Sequence, residues 1–342
     1  MKICIYGAGA VGAFVAGQLI RGDSEGALDV SLVARGPHLA AMQANGLTMQ
    51  CDGESVNLPV RCTEDPAELG IQDVVIVALK AHQAPGEAEK IADHLLGSET
   101  IVVPAMNGVP WWYFHDLDCP GKPELRGQPL HGVDPGARQW NAIGPERVIG
   151  CVVYVSAEII APGVVDYGRG GGLFIGEPDC SDSPRLNRLF ESLSATGEKN
   201  SGLRITKRDD IRRDVWTKLW SNVSINPTTA LTLMPVNRIA SDEGGAKVLK
   251  AMMLEAQEVA VALGVNFTSK PDDVINRVRE NPGRKSSMHQ DVEKGRVLEI
   301  DAIVKAVAEL GDLVGVETPT IDIIYTLVRL RAEASGLVPD KL

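Results

Sequence analysis

The chain opens with Lys2-Ile3-Cys4-Ile5-Tyr6 and runs straight into Gly7-Ala8-Gly9-Ala10-Val11-Gly12. A short apolar strand, a G-x-G-x-x-G turn and then an amphipathic helix leave little choice of local fold. Gly7 serves the tight turn, Gly9 lets the backbone approach a pyrophosphate, and Gly12 lets the helix lie close to the strand. The helix then points its free N–H groups and the positive end of its dipole at that anion. Residues Gly7, Ala8, Gly9, Ala10, Val11 and Gly12 are therefore expected to form a dinucleotide site. The alternative is a plain strand–helix corner without ligand. The motif alone is weak; its strength comes from the strand before it and the helix after it.

The next hundred residues repeat that alternation. Lys2–Tyr6, Asp29–Ala34, Val74–Leu79 and Thr100–Pro104 read as strands, with helices over Gly9–Arg21, His38–Asn45 and Pro85–Leu96. The runs VVIVAL and IVVPA are apolar on both faces, as strands covered by helices on both sides must be. This predicts an α/β fold: a Rossmann-type, doubly wound parallel sheet. Residues 108–147 break the pattern with the cluster Trp111, Trp112, Tyr113 and Phe114 and many Gly and Pro. This stretch either covers a substrate pocket or forms an aromatic plug against the sheet. Arg147–Ser156 and Gly163–Tyr167 read as further strands, Gly168–Gly172 as a turn, and the polar stretch Thr196–Lys207 as the end of the first domain.

From about Asp209 the texture becomes helical, over Asp210–Ile225, Gly244–Leu263, Pro271–Glu280, Ser286–Gly295, Glu299–Leu313 and Pro319–Glu333. Asn226-Pro227 is expected to interrupt the first of these, because proline lacks the donor and clashes with the preceding turn. The expected organisation is an NADP-binding Rossmann domain over 1–208 and an all-helical substrate domain over 209–342. A length of 342 residues suits two domains.

Composition excludes several partners. With 34 Lys+Arg against 45 Asp+Glu the net charge is -11, which disfavours broad nucleic-acid binding. No apolar run is long enough to span a bilayer. The N-terminus lacks a signal-peptide cleavage site and reads as mature sequence. Six cysteines are scattered without a CxxC or a Cys/His cluster, so no metal site and no disulfide framework are expected, and a cytoplasmic, reducing location fits.

Three strand ends carry polar groups. The strand Val30–Ala34 ends in Arg35-Gly36, with no Asp or Glu at its tip to take the adenosine ribose. A guanidinium there suits a 2′-phosphate, so NADP is expected over NAD; otherwise Arg35 is a solvated loop charge. Lys80 follows Val74–Leu79, and Asn107 follows the strand ending at Pro104. Ligands of open α/β sheets lie beyond such carboxyl ends. Taken singly, each also reads as a plain loop residue.

In the helical half, Lys218, Asn222 and Asn226 recur every four residues and share one helix face. Set among Trp216, Leu219, Trp220 and Val223, such groups need partners if they are buried; otherwise they form a solvated stripe. Ser287 and Asp291 sit one turn apart, and Glu299 places an acid in an apolar helix, where it can pair with Lys218 or lie on a charged face.

Together GAGAVG, Arg35, Lys80, Asn107-Gly108, KLWSNVSINP and SSMHQDVEKGRVLEID resemble the ketopantoate reductase (2-dehydropantoate 2-reductase) family over nearly the whole chain. The resemblance implies an N-terminal Rossmann domain, a helical C-terminal domain like that of 6-phosphogluconate dehydrogenase, and an active site in the cleft between them. It implies NADPH-dependent reduction of 2-dehydropantoate to (R)-pantoate, a step toward pantothenate and coenzyme A. It makes Lys218 the catalytic lysine and Glu299 the acid that orders the site near the nicotinamide ribose. Asn222, Asn226 and Ser287 become substrate-binding positions, Asn107 touches cofactor and substrate, Lys80 lies on the cofactor side, and Ser156 makes a backbone cofactor contact. The segment after Asn107-Gly108 departs from the family pattern, as does Val236-Asn237.

Rival readings are a reductase of another 2-oxoacid, a β-hydroxyacid dehydrogenase with a similar lysine face, and a non-catalytic NADP-sensing protein. Apolar helices such as Thr320–Leu330 would serve a homodimer or simply close the domain.

Overall fold

The computed structural model describes residues 1–197, 202–266 and 269–339. They form two compact units: Met1–Met106 with Gly136–Ile211, and Asn107–Pro135 with Arg212–Leu342.

The first unit is built on five parallel strands: β1 (Lys2–Tyr6), β2 (Asp29–Val33), β5 (Arg61–Thr63), β6 (Val74–Val77) and β7 (Ile101–Pro104), in the order β5-β2-β1-β6-β7. Helices α1 (Ala10–Gly22), α2 (Gly36–Asn45) and α3 (Ala84–Leu95) connect them. β6 and β7 are buried at every position, as apolar strands sandwiched between helices should be. Between β2 and β5 lies a hairpin, β3 (Leu47–Cys51) and β4 (Glu54–Leu58), with Asp52 and Gly53 both left-handed at its tip. Asp-Gly is the usual pair for such a two-residue turn, and the sequence reading passes over it.

After α4 (Arg138–Ala142) come β8 (Gly150–Tyr154), β9 (Ala157–Ala161), β10 (Val164–Tyr167), β11 (Gly172–Gly176), α5 (Pro184–Gly197) and β12 (Arg204–Lys207). They extend two further sheets, β4-β3-β10-β9 and β12-β11-β8. The stretch expected to be a turn thus ends in β11 at Gly172, and the polar stretch Thr196–Lys207 contains β12; its residues 198–201 lie outside the described residues. Helix α5 carries a legible period, with Leu186, Leu189 and Leu193 all buried.

The second unit is helical: α6 (Ile211–Thr232), α7 (Val236–Ser241), α8 (Glu243–Ala262), α9 (Pro271–Arg279), α10 (Ser287–Glu293), α11 (Ala306–Val314) and α12 (Pro319–Ala334). Asp242 caps α8 by accepting from the Gly245 N–H at 2.7 Å, and Ser286 caps α10 through the His289 N–H. A wide-turned π stretch, Asp301–Lys305, leads into α11.

One expectation fails at Pro227. Helix α6 does not stop at Asn226-Pro227 but runs through it to Thr232. The hydroxyls of Thr228 and Thr229 donate to the Ser224 and Ile225 carbonyls, each at 2.8 Å, and Asn226 through Ala230 are buried, so tertiary packing holds the turn that proline weakens. The aromatic segment is buried in the helical unit. Trp111, Trp112, Tyr113 and Phe114 are at most 3% exposed. Arg212 of α6 donates from Nε to the Tyr113 carbonyl at 2.9 Å, and its Nη2 reaches the His115 carbonyl. Trp216 of α6 donates from Nε1 to the Tyr113 hydroxyl at 2.7 Å. These bonds place Asn107–Pro135 in the helical unit, whereas the sequence texture assigns the stretch to the first domain.

Candidate active site

The glycine turn sits between β1 and α1. The N–H groups of Gly7 and Ala8 both donate to the Val33 carbonyl of β2 at 3.1 Å, and Gly7 has φ +104°. A Cβ on Gly12 would lie 2.0 Å from the Gly7 carbonyl oxygen, so only glycine lets the helix start this close to the turn. A Cβ on Gly9 would meet nothing within 4 Å. The turn is therefore tightly built on its inner side and open above Gly9, where α1 begins. An anion fits there, on the first N–H groups of the helix.

Beside the turn is a cavity of ≈ 330 Å³, lined by Tyr6 to Gly9, by Val33 to Arg35, and by His38, Glu64, Leu79, Gln83, Glu87 and Lys90. Arg35, exposed at the end of β2, pairs with Glu87 at 3.5 Å. Glu87 also accepts from the Tyr6 hydroxyl at 2.7 Å and from Lys90 at 3.1 Å. Burial and the Glu87 carboxylate push the Tyr6 phenol well above its ordinary range, so it stays a donor. His38 accepts the Gly163 N–H on Nδ1 at 2.9 Å, and burial lowers its pKa.

The sequence alone assigns no site role to Tyr6, His38, Glu64, Glu87 or Lys90. Glu64 had a findable signal: it stands one residue past β5, which neighbours β2, so an acid reaches the Arg35 side of the sheet from a strand too short to notice. Glu87 and Lys90 look in sequence like an ordinary solvated helix face. Lys80 lies half-buried three residues past β6, and its N–H donates to Gln83 Oε1 at 3.3 Å. Ser156, exposed between β8 and β9, accepts the Gly168 N–H on its carbonyl at 2.9 Å and is not among the residues lining this cavity.

In the helical unit the structure brings Lys218 and Asn107 together: the half-buried lysine donates from Nζ to Asn107 Oδ1 at 2.7 Å. Asn107 is held by its neighbours, since the Val109 N–H donates to the Ala302 carbonyl at 2.9 Å. One and two turns along α6 from Lys218 come Asn222, half-buried, and Asn226, only 4% exposed. Thr229, almost a further turn along, shares a 2.6 Å hydrogen bond with Ser286. That bond ties α6 to the start of α10, where Ser287 is the first helical residue and is exposed. Glu299 is half-buried just before the π stretch, its carbonyl accepting the Ile303 N–H at 3.2 Å. Chemically the row offers a cation with a fixed acceptor, two amides and a hydroxyl, a set suited to a small polar anion with a reacting carbonyl.

A glycine-turn nucleotide unit and a helical unit carrying an asparagine-held lysine make up a pyridine-nucleotide oxidoreductase. Comparison with known proteins gives the family. The family model "Ketopantoate reductase PanE/ApbA" matches residues 3–110, and "Ketopantoate reductase PanE/ApbA C terminal" matches residues 210–332. A 2-dehydropantoate 2-reductase of Mesorhizobium japonicum is 46% identical over 336 residues, covering 98% of this chain and 99% of that protein. A solved structure from Ralstonia solanacearum MolK2 superposes with a TM-score of 0.89 at 40% identity, covering 98% and 99% of the two chains. A PanE/ApbA family ketopantoate reductase from Ralstonia eutropha JMP134 gives 0.79 at 27% identity, covering 98% and 100%. The chain belongs to the ketopantoate reductase family.

Proposed function

We propose that this chain reduces 2-dehydropantoate to (R)-pantoate with NADPH, a step toward pantothenate and coenzyme A. The observation that carries the reading is the Lys218–Asn107 hydrogen bond, which gives the helical unit a positioned proton donor. When bound, the nicotinamide supplies the hydride. The chain's residues do the rest. As a 2-oxo carbon is reduced, its oxygen gains negative charge, and the Lys218 ammonium stabilises that charge and delivers a proton. Asn107 fixes the direction of the ammonium. Ser287 is assigned to the substrate carboxylate, Asn222 and Asn226 to its hydroxyl, and Glu299 to ordering Lys218 on the nicotinamide-ribose side.

The first unit takes the nucleotide in this reading. The residues fit it: Gly9 leaves open space at the start of α1, and Arg35 and Lys90 line the adjoining cavity. Arg35 supports NADP, with Lys80 and the Ser156 backbone assigned to the same ligand. A homodimer is supported by Ile323, Leu327 and Leu330 of α12, which are 61%, 48% and 49% exposed along one helix face. A cytoplasmic location is supported by the scatter of the six cysteines, whose spacing follows no disulfide framework.

The test is NADPH oxidation with a panel of 2-oxoacids. The expected outcome is the highest kcat/KM for 2-dehydropantoate. A clear preference for another 2-oxoacid would overturn the substrate, and no turnover of any would overturn the reductase reading.

A further inference from the structure

We propose that Glu87 is a cofactor-discriminating residue: its carboxylate, anchored by the Tyr6 hydroxyl, occupies Arg35 and Lys90 and so weakens the preference for a 2′-phosphorylated nucleotide. The inference rests on the reading that the cavity beside the glycine turn receives the adenosine end of a pyridine dinucleotide.

The geometry is asymmetric. Tyr6 is a buried residue of β1, 3% exposed, and its hydroxyl holds Glu87 Oε2 at 2.7 Å. The Glu87 side chain is 15% exposed, whereas those of Arg35 and Lys90 are each 58% exposed. The acid is thus the fixed member of the cluster, and the two cations are long, exposed side chains that come to it. Arg35 reaches Oε1 at 3.5 Å and Lys90 reaches Oε2 at 3.1 Å. Glu64 lines the same cavity from the end of β5.

The two cations able to attract a 2′-phosphate therefore share their cavity with two acids. A phosphate monoester carries roughly two negative charges near neutral pH. To engage Arg35 it must draw the guanidinium from Glu87 while approaching that carboxylate, and like charges at such range repel. A nucleotide with a free 2′-hydroxyl meets no such opposition, and a nearby carboxylate is a natural acceptor for a ribose hydroxyl. Arg35 alone predicts stronger selection for the phosphate than Arg35 held by an anchored acid.

The experiment measures the Kd of NADPH and of NADH on the full chain by nicotinamide fluorescence, in wild type, Glu87→Gln and Arg35→Gln. The amide in E87Q keeps an acceptor for the Tyr6 hydroxyl and removes the charge. The expected result is a wild type that binds NADPH more tightly than NADH, and a further, roughly two- to fivefold gain in NADPH affinity in E87Q, the range by which exposed ion pairs shift an equilibrium. NADH affinity stays level or falls in that variant, and the gain shrinks as salt is raised. If E87Q moves both nucleotides equally or neither, while R35Q still weakens NADPH alone, the role of Glu87 is wrong and the NADP reading stands. If R35Q also leaves the ratio unchanged, the cavity is not the 2′-phosphate site and the underlying reading fails. Circular dichroism of both variants separates either result from misfolding.

Discussion

Lys218 Nζ and Asn107 Oδ1 meet at 2.7 Å although 111 positions separate them in the chain. Asn107 opens the segment that leaves β7, and the backbone bond from Val109 to Ala302 holds that segment in the helical unit. The residue that orients the lysine is therefore itself fixed by main chain, close to where Glu299 enters the π stretch. In the proposed reaction, a donor so held would need no reorganisation as charge builds on the substrate oxygen.

Replacing the lysine should separate chemistry from binding. Lys218→Ala is expected to lower kcat by roughly two to four orders of magnitude, the usual contribution of a positioned acid, with NADPH affinity unchanged. Asn107→Ala, which keeps the ammonium but frees its direction, should cost about a hundredfold in kcat/KM. Steady-state kinetics beside a nucleotide titration reads both. Undiminished turnover in the lysine variant would remove Lys218 from the mechanism.

The glycine turn yields a paired test. Gly12→Ala puts a methyl group 2.0 Å from the Gly7 carbonyl oxygen, so it should deform the turn, lower stability and abolish nucleotide binding together. Gly9→Ala puts its methyl group in open space with φ already at -69°, so stability should stay within about 0.5 kcal/mol while nucleotide affinity drops. Urea unfolding and NADPH titration on both variants check this. Equal nucleotide affinity in Gly9→Ala and wild type would mean that no diphosphate lies over Gly9.

How much of this was legible in the sequence depends on distance along the chain. The β1–turn–α1 unit is local: twelve consecutive residues carry strand, turn and helix start, and the structure matches them closely. The α6 row of Lys218, Asn222 and Asn226 is legible too, because spacing by four fixes a face. The Lys218–Asn107 bond is not, since no local pattern encodes an encounter over that separation. The Pro227 rule misled because it describes an isolated helix, and here burial around Thr228 and Thr229 decides. The aromatic run Trp111–Phe114 announced burial but not its neighbour; only the bonds from Arg212 and Trp216 show that it belongs to α6. Glu64 and Glu87 illustrate a different failure: the tip of β2 carries no acid, yet the end of β5 and helix α3 bring two to the same cavity.

His38 makes the first unit pH-sensitive. Its Nδ1 accepts from the Gly163 N–H, and burial holds its pKa below the ordinary 6.5, so the native ring is neutral. The sign follows from proton counts. Below the unfolded pKa and above the depressed native one, the unfolded chain binds the extra proton, so stability rises with pH across that window. This stability is complete above the ordinary histidine range and declines as pH falls toward the lowered native value. Unfolding midpoints measured between about pH 7.5 and about pH 5 should fall with acidity, and His38→Asn, which can keep an acceptor for Gly163, should flatten this part of the slope. An identical slope in the variant would assign the acid sensitivity elsewhere.

The aromatic plug is tied to α6 through Tyr113. Trp216 is fully buried, and its indole N–H has the Tyr113 hydroxyl as acceptor. Tyr113→Phe removes that oxygen without changing the ring, which leaves a buried donor unpaired and should destabilise the protein by about 1–3 kcal/mol. Removing both partners should be gentler than the sum of single changes, because Tyr113→Phe with Trp216→Phe leaves no orphaned N–H behind. Trp216 precedes Lys218 by two residues on α6, so loosening its anchor also frees the turn that carries the lysine. Tyr113→Phe should therefore lower kcat more than it raises KM, a split that a loss of folded protein alone would not produce. Denaturant unfolding of the four proteins in the cycle, with steady-state kinetics on the single variant, measures both effects. Additive losses across the cycle would show that the bond does not couple the plug to α6.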